Sequence, residues 1–109
     1  MLSDLPPVVA RFVDASNARD LDRTIACFAA DAVVEDEGQT HTGVDEVRQW
    51  KRETENRYTY TIEPTELEHR NGEWVITAKL AGNFPGSPVD LVYEFTIADG
   101  AIEALRIHP

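Results

Sequence analysis

An α+β fold, with helices on one face of a strongly curved sheet, follows from three features of the sequence. Apolar residues recur at helical spacing through the first half of the chain. They alternate at the strand period through the second half. No linker, repeat or low-complexity stretch separates the halves, and 109 residues suit one domain.

Ser3 is placed to cap the first helix, with Asp4 in its first turn and Pro6-Pro7 tolerated near its start. Its stripe is Leu5, Val8, Val9, Phe12 and Val13, and it runs to about Asn17-Ala18. Asp20 caps a second helix with a stripe at Leu21, Thr24, Ile25 and Phe28. A short strand is expected at Ala32–Asp36. Gly38 turns the chain, and Gln39–Thr42 returns as a second short strand. Thr42 is placed to cap a third helix, with Asp45 at the capping-box position and Glu46 beside it. The stripe of that helix is Val44, Val47, Trp50, Lys51 and Thr54.

From Tyr58 the period changes. Tyr58–His69 is rich in Tyr, Thr and Ile, and Pro64 predicts a bulge or bend within it. Asn71-Gly72 is a two-residue hairpin signal. Glu73–Phe84 is the next strand, with Trp74, Ile76, Ala78 and Leu80 on one face. Pro85-Gly86 fits the centre of a type II turn. Val89–Ala98 alternates Val89, Leu91, Tyr93, Phe95 and Ile97 against Asp90, Val92, Glu94 and Thr96. Asp99-Gly100 closes the last hairpin, and Ala101–His108 is the final strand. The last four strands therefore form an antiparallel meander.

The formal net charge is −10, which repels phosphate backbones and anionic lipid heads. The basic residues scatter. Only Arg48, Lys51 and Arg52 cluster, and beside Glu46, Glu53 and Glu55 they read as the solvated face of the third helix. Neither a nucleic-acid nor a membrane partner is expected. The single cysteine, Cys27, lies in an apolar run and reads as a buried small hydrophobe. Residues 1–7 carry no basic region or apolar stretch, and no window approaches a membrane span, so a cytoplasmic protein is expected. His41, His69 and His108 lie far apart with no ligand spacing, so no metal or other cofactor is expected. Gly82–Pro88 opens no helix and lacks a Gly-Lys-Ser/Thr ending, so it is a turn and not a phosphate loop.

Four stretches carry a resemblance: Val8–Val13, Asn17–Asp22, Cys27–Asp36 and Gly43–Trp50. Together with the order of elements they resemble the nuclear transport factor 2-like superfamily, in the pattern shared by its SnoaL-like and ketosteroid-isomerase-like members. The resemblance implies a cone of about six curved antiparallel strands wrapped around three helices, with a pocket inside. It also implies a likeness to proteins that are commonly dimers. Isomerases, dehydratases, epoxide hydrolases, polyketide cyclases and non-catalytic association modules share this fold, so fold alone does not assign function.

The sharpest candidate for chemistry is Asp36. The catalytic base of ketosteroid isomerase ends the first strand in a Val-Glu-Asp context, which Val34-Glu35-Asp36 resembles. Alternation pairs Asp36 with Val34 and Glu35 with Val33, so it does not decide which carboxylate points inward. Where that family places a helix-one tyrosine, this chain has Phe12, which cannot donate a hydrogen bond. Where it places a protonated aspartate, this chain has Tyr93, whose hydroxyl can donate. The acid–base group of the related polyketide cyclases needs a polar residue on the inner late strands, where only Tyr93 stands. Phe12, Trp50, Tyr58, Tyr60, Trp74, Phe84 and Phe95 are the candidates for an apolar pocket wall.

The function expected is a domain binding a small apolar molecule, with isomerase- or cyclase-type proton transfer by Asp36 and Tyr93 steadying an enolate oxygen. The alternative is a non-catalytic dimeric scaffold whose cone is filled by Tyr58, Tyr60, Trp74 and Phe84. A homodimer would pair through the face bearing Val75, Thr77, Ala81, Val92 and Thr96.

Overall fold

A computed structural model describes residues 4–109 of the chain. The expected cap at Ser3 lies outside the described residues. Pro6 stands at the N-cap of α1 (Pro7–Asn17), and Pro7 takes the first helical position, where a missing N–H costs no hydrogen bond. Val8, Val9, Phe12 and Val13 form its buried stripe. α2 (Leu21–Ile25) starts at Asp20, whose side chain accepts the Arg23 N–H at 3.1 Å.

Three expectations are corrected in this half. Phe28 does not end α2. It opens β1 (Phe28–Asp36), which therefore begins four residues before the expected Ala32. A register shift between Phe28 and Val33 breaks the alternation, which is why the early part of the strand does not read as one. After the hairpin to β2 (Gln39–Thr42), the N-cap of α3 (Val44–Arg57) is Gly43 and not Thr42. The Thr42 N–H instead donates to the Glu46 side chain at 2.8 Å, so Glu46 and not Asp45 supplies the returning arm of the capping box.

The remaining strands are β3 (Tyr60–Arg70), β4 (Glu73–Gly82), β5 (Val89–Ala98) and β6 (Ala101–His108). Asn71-Gly72 and Asp99-Gly100 have φ near +53° and +76° at their two residues, the geometry that closes right-twisted hairpins. Gly86 has φ +86°, and the Ser87 N–H donates to the Phe84 carbonyl, as a type II turn requires. The β3–β4 register shifts between Pro64 and Glu66, at the expected bend.

The strand order is β2-β1-β6-β5-β4-β3. The sheet is mixed, not antiparallel throughout, because β1 and β6 run parallel. The cause is topological. α3 crosses from β2 to the far edge, and the meander's successive reversals bring β6 back beside β1 in the same direction. The core lies between the concave face and the helices. Phe12 packs edge-on against Phe28 and Phe95, with ring centroids 5.9 and 5.6 Å apart. No helix among the described residues is long and apolar enough to cross a membrane.

β3 is an edge strand, and α1 ties it down. The Asn17 amide donates to the Ile62 carbonyl at 2.9 Å and accepts the Ile62 N–H at 2.7 Å. One side chain thereby supplies both bonds a neighbouring strand would make. Asn17→Ala strands two backbone groups at a residue only 3% exposed. It should cost about 1–3 kcal/mol, measured by urea unfolding, and Asn17→Asp, which keeps the acceptor, should cost less.

Candidate functional site

A cavity of about 530 Å³ opens inside the curve of the sheet, beneath α3 and the β4–β5 turn. It falls within the range of about 300–1,000 Å³ usual for small-molecule sites. Strand register sets its chemistry. Asp36 pairs with Ile107 on β6, and Ile107 pairs with Tyr93 on β5. Paired residues share a face, so Asp36, Ile107 and Tyr93 stand in one row on the cavity side. Two strand spacings place Asp36 and Tyr93 backbones roughly 10 Å apart.

The structure therefore resolves the choice that alternation leaves open: Asp36 faces inward with Val34, and Glu35 faces out. Trp50, one face of α3 away, donates its indole N–H to Asp36 Oδ2 at 3.0 Å. Burial pushes the Asp36 carboxyl above its ordinary range, against the lowering effect of that hydrogen bond. Nearby Glu37 pushes it up further, and His41 pulls it down.

Phe12, Trp50, Tyr58, Tyr60, Phe84 and Tyr93 all line the cavity. Tyr58 and Phe84 pack edge to face at 5.9 Å beside the opening. That wall is pinned by Asn83, whose side chain accepts the Thr59 N–H at 2.9 Å. Trp74 and Phe95 do not line the cavity. Trp74 stacks flat on His69 at 4.0 Å near the β3–β4 hairpin, and Phe95 is spent in the core against Phe12. Both have the expected inward alternation, but Phe95 is covered by Phe12 of α1 and Trp74 by the His69 ring of the neighbouring strand.

Lys51 is the cavity residue that the sequence reading misplaces. Its charge grouped it with Arg48 and Arg52 on a wet helix face, yet it is only 2% exposed and lines the cavity. The signal was present, because Lys51 falls on the helical stripe with Val47 and Trp50. Its Nζ lies 5.5–5.7 Å from the ring centroids of Phe12, Trp50 and Tyr60 and donates to Tyr60 Oη at 3.3 Å. Burial lowers its pKa to about 8. Glu55 and Asp36 pull that value up, and Arg19 pushes it down. The same burial raises the Tyr60 and Tyr93 phenols, which stay protonated and able to donate.

Cys27 lies apart from this cavity, buried on the other side of the core. Arg11 and Arg23 stand beside it, but desolvation dominates and raises its thiol. Among the described residues no group of three His, Cys, Asp or Glu side chains converges as a metal site.

The class these features define is a cone-shaped α+β domain with the Asp36 carboxylate, the Lys51 amine and three phenols around an apolar cavity. The profile of the SnoaL-like domain matches residues 9–105, and the chain belongs to that family. A candidate polyketide cyclase from Sinorhizobium meliloti is 43% identical, with a TM-score of 0.92 and 96% of each chain covered. A protein of ketosteroid isomerase-like fold from Catenulispora acidiphila, solved with trimethylamine, is 20% identical. Its TM-score is 0.83, over 95% of this chain and 85% of that one. SalBIII, an epoxide hydrolase/cyclase-like enzyme of pyran ring formation in salinomycin, is also 20% identical. Its TM-score is 0.79, over 92% of this chain and 85% of that one. The last two likenesses are of fold. No curated protein matches the sequence significantly.

Lys51 carries a sign-definite prediction. Its folded pKa of about 8 lies below the ordinary 10.5, so holding its charge penalises the folded state. The penalty, of order 3 kcal/mol, is fully present below about pH 8 and fades as pH rises toward 10.5. Lys51→Met should therefore be more stable than the parent at pH 7. Denaturant unfolding across pH should show that advantage shrinking between pH 8 and 10.5.

Proposed function

We propose that this domain binds a small, mostly apolar, carbonyl-bearing molecule in the cavity and moves a proton on it, with Asp36 as base, in an isomerase- or cyclase-type reaction. One observation carries the reading: a partly desolvated carboxylate at the wall of a ligand-sized apolar cavity, with one oxygen held by an indole. Trp50 holds the carboxylate through Oδ2, and the carboxylate takes a proton from a carbon beside the carbonyl. A carboxylate whose pKa is raised is a stronger base than a solvated one. The electron pair left on the substrate moves to oxygen, where the Tyr93 and Tyr60 phenols are the available donors. The 43% identity to a candidate polyketide cyclase supports this class of chemistry, since ring closure needs the same base and donors. Against a filled scaffold, Tyr58, Tyr60 and Phe84 stand around the cavity and leave it open.

The test begins with a thermal-shift search among hydrophobic ketones, steroids and aromatic acids. Exchange of the hydrogens beside the carbonyl of a bound ketone is then followed by NMR in deuterated water. Asp36→Asn should slow it by about 10²–10⁴-fold, and Tyr93→Phe by about 10²-fold. The rate should rise with pH through the raised Asp36 pKa and level off above it, since the carboxylate is the active form. Equal rates in the parent and Asp36→Asn would remove Asp36 from the mechanism.

The proposal extends to a homodimer paired through the outward face of β4 and β5. Val75 is already buried in one copy, so Thr77, Ala81, Val92 and Thr96 would supply the added area. Solution mass at micromolar concentration should give twice the chain mass, and a clean monomer would count against the pairing.

A further inference from the structure

The proton transfer above makes no use of Lys51, a basic side chain buried in the cavity wall. Its surroundings are unusual for a lysine. Phe12 of α1, Trp50 of α3 and Tyr60 of β3 box its Nζ, and among the described residues its single hydrogen bond is to Tyr60 Oη. The charged groups that face it are Asp36 from β1, Glu55 one turn on along α3, and Arg19 after α1. Neither carboxylate forms an ion pair with it among the described residues. Glu55 Oε2 is itself buried without a hydrogen bond. Arg19 is held in place by its own bonds to the Glu55 and Tyr58 carbonyls at 2.7 and 3.1 Å. A fixed guanidinium thus stands near the ammonium while no carboxylate closes on it.

We propose that Lys51 is a nucleophilic amine that forms an imine with the carbonyl of the molecule bound in this cavity. The step rests on the carbonyl-bearing ligand class argued above and balances without any further reagent. The neutral amine attacks the carbonyl carbon, and the carbonyl π pair moves to oxygen. A proton passes from nitrogen to that oxygen, with the Tyr60 hydroxyl placed beside Nζ to relay it. The resulting carbinolamine takes up one more proton, expels water and leaves a protonated imine. Asp36 then takes the neighbouring C–H proton, and its electron pair flows to the imine nitrogen to give an enamine. Reprotonation at carbon and hydrolysis return the amine. The protonated imine is a far better electron sink than a carbonyl held by phenols alone, which offsets the absence of a donor at Phe12.

The environment supplies the neutral amine that this step needs. At a pKa of about 8, roughly a tenth of Lys51 is neutral at pH 7. A solvated lysine is neutral in only about one molecule in three thousand. Burial in a hydrophobic pocket near another cation is a general way to activate an amine.

The chain offers a built-in control, because its only other lysine, Lys79, is exposed. The probe is 1-phenylbutane-1,3-dione, whose imine with an amine rearranges to a conjugated enaminone absorbing in the near ultraviolet. Incubated with the intact protein at pH 7, it should add one diketone less one water. Peptide mass mapping should place that addition on Lys51 about a hundredfold faster than on Lys79, and faster than on the terminal amine. Lys51→Met should lose the absorbance while circular dichroism stays unchanged. Addition confined to Lys79 or the terminal amine, or equal rates at the two lysines, overturns the proposal even if the variant fails to fold. The assay reads the amine alone, so its outcome is separate from the Asp36 exchange experiment.

Discussion

The parallel pairing of β1 with β6 is the constraint on which the cavity depends. It joins the first strand to the last, so residues 36 and 93, more than half the chain apart, share one row of the sheet through Ile107. A meander alone would keep each strand beside its sequence neighbour, and Asp36 would lie on an edge hairpin in water. Burying β1 between β2 and β6 turns the end of that strand inward, and α3 then covers it. The hydrogen bond from Trp50 to Asp36 is the point where helix and sheet meet.

Adjacent residues on α3 serve different ends of the same site. Trp50 holds the Asp36 carboxylate, and Lys51 places its amine beside the Tyr60 hydroxyl. Both face the cavity because the helix must bury a stripe wider than one residue to cover a curved sheet. The arrangement opposes stability. A partly desolvated carboxylate and a buried ammonium are both penalised in the folded state, and neither is paired with the other. Groups kept in such surroundings have altered proton affinity, which is what acid–base and nucleophilic chemistry require.

The aromatic residues divide by what the helices leave uncovered. Phe12, Phe28 and Phe95 interlock where α1 crosses the sheet and no space remains. Tyr58, Phe84 and Tyr93 lie around the cavity instead. A strand pattern reports which face a residue takes, and Trp74, Phe95 and Tyr93 share one. It does not report what lies opposite, so it grouped core and cavity residues together.

Period and turn chemistry were enough to read three helices, six strands, the hairpins at Asn71-Gly72 and Asp99-Gly100, and the bend at Pro64. These are local properties, set by side-chain spacing and by the few residues that accept a positive φ. The stripe of α3 also contained Lys51, although its charge suggested water. Tertiary structure alone decided the parallel β1–β6 pair, the inward turn of Asp36 rather than Glu35, and the aromatic box around Lys51. Those features depend on strand register and on which element lies across the sheet, and both are set by contacts between residues far apart in the chain.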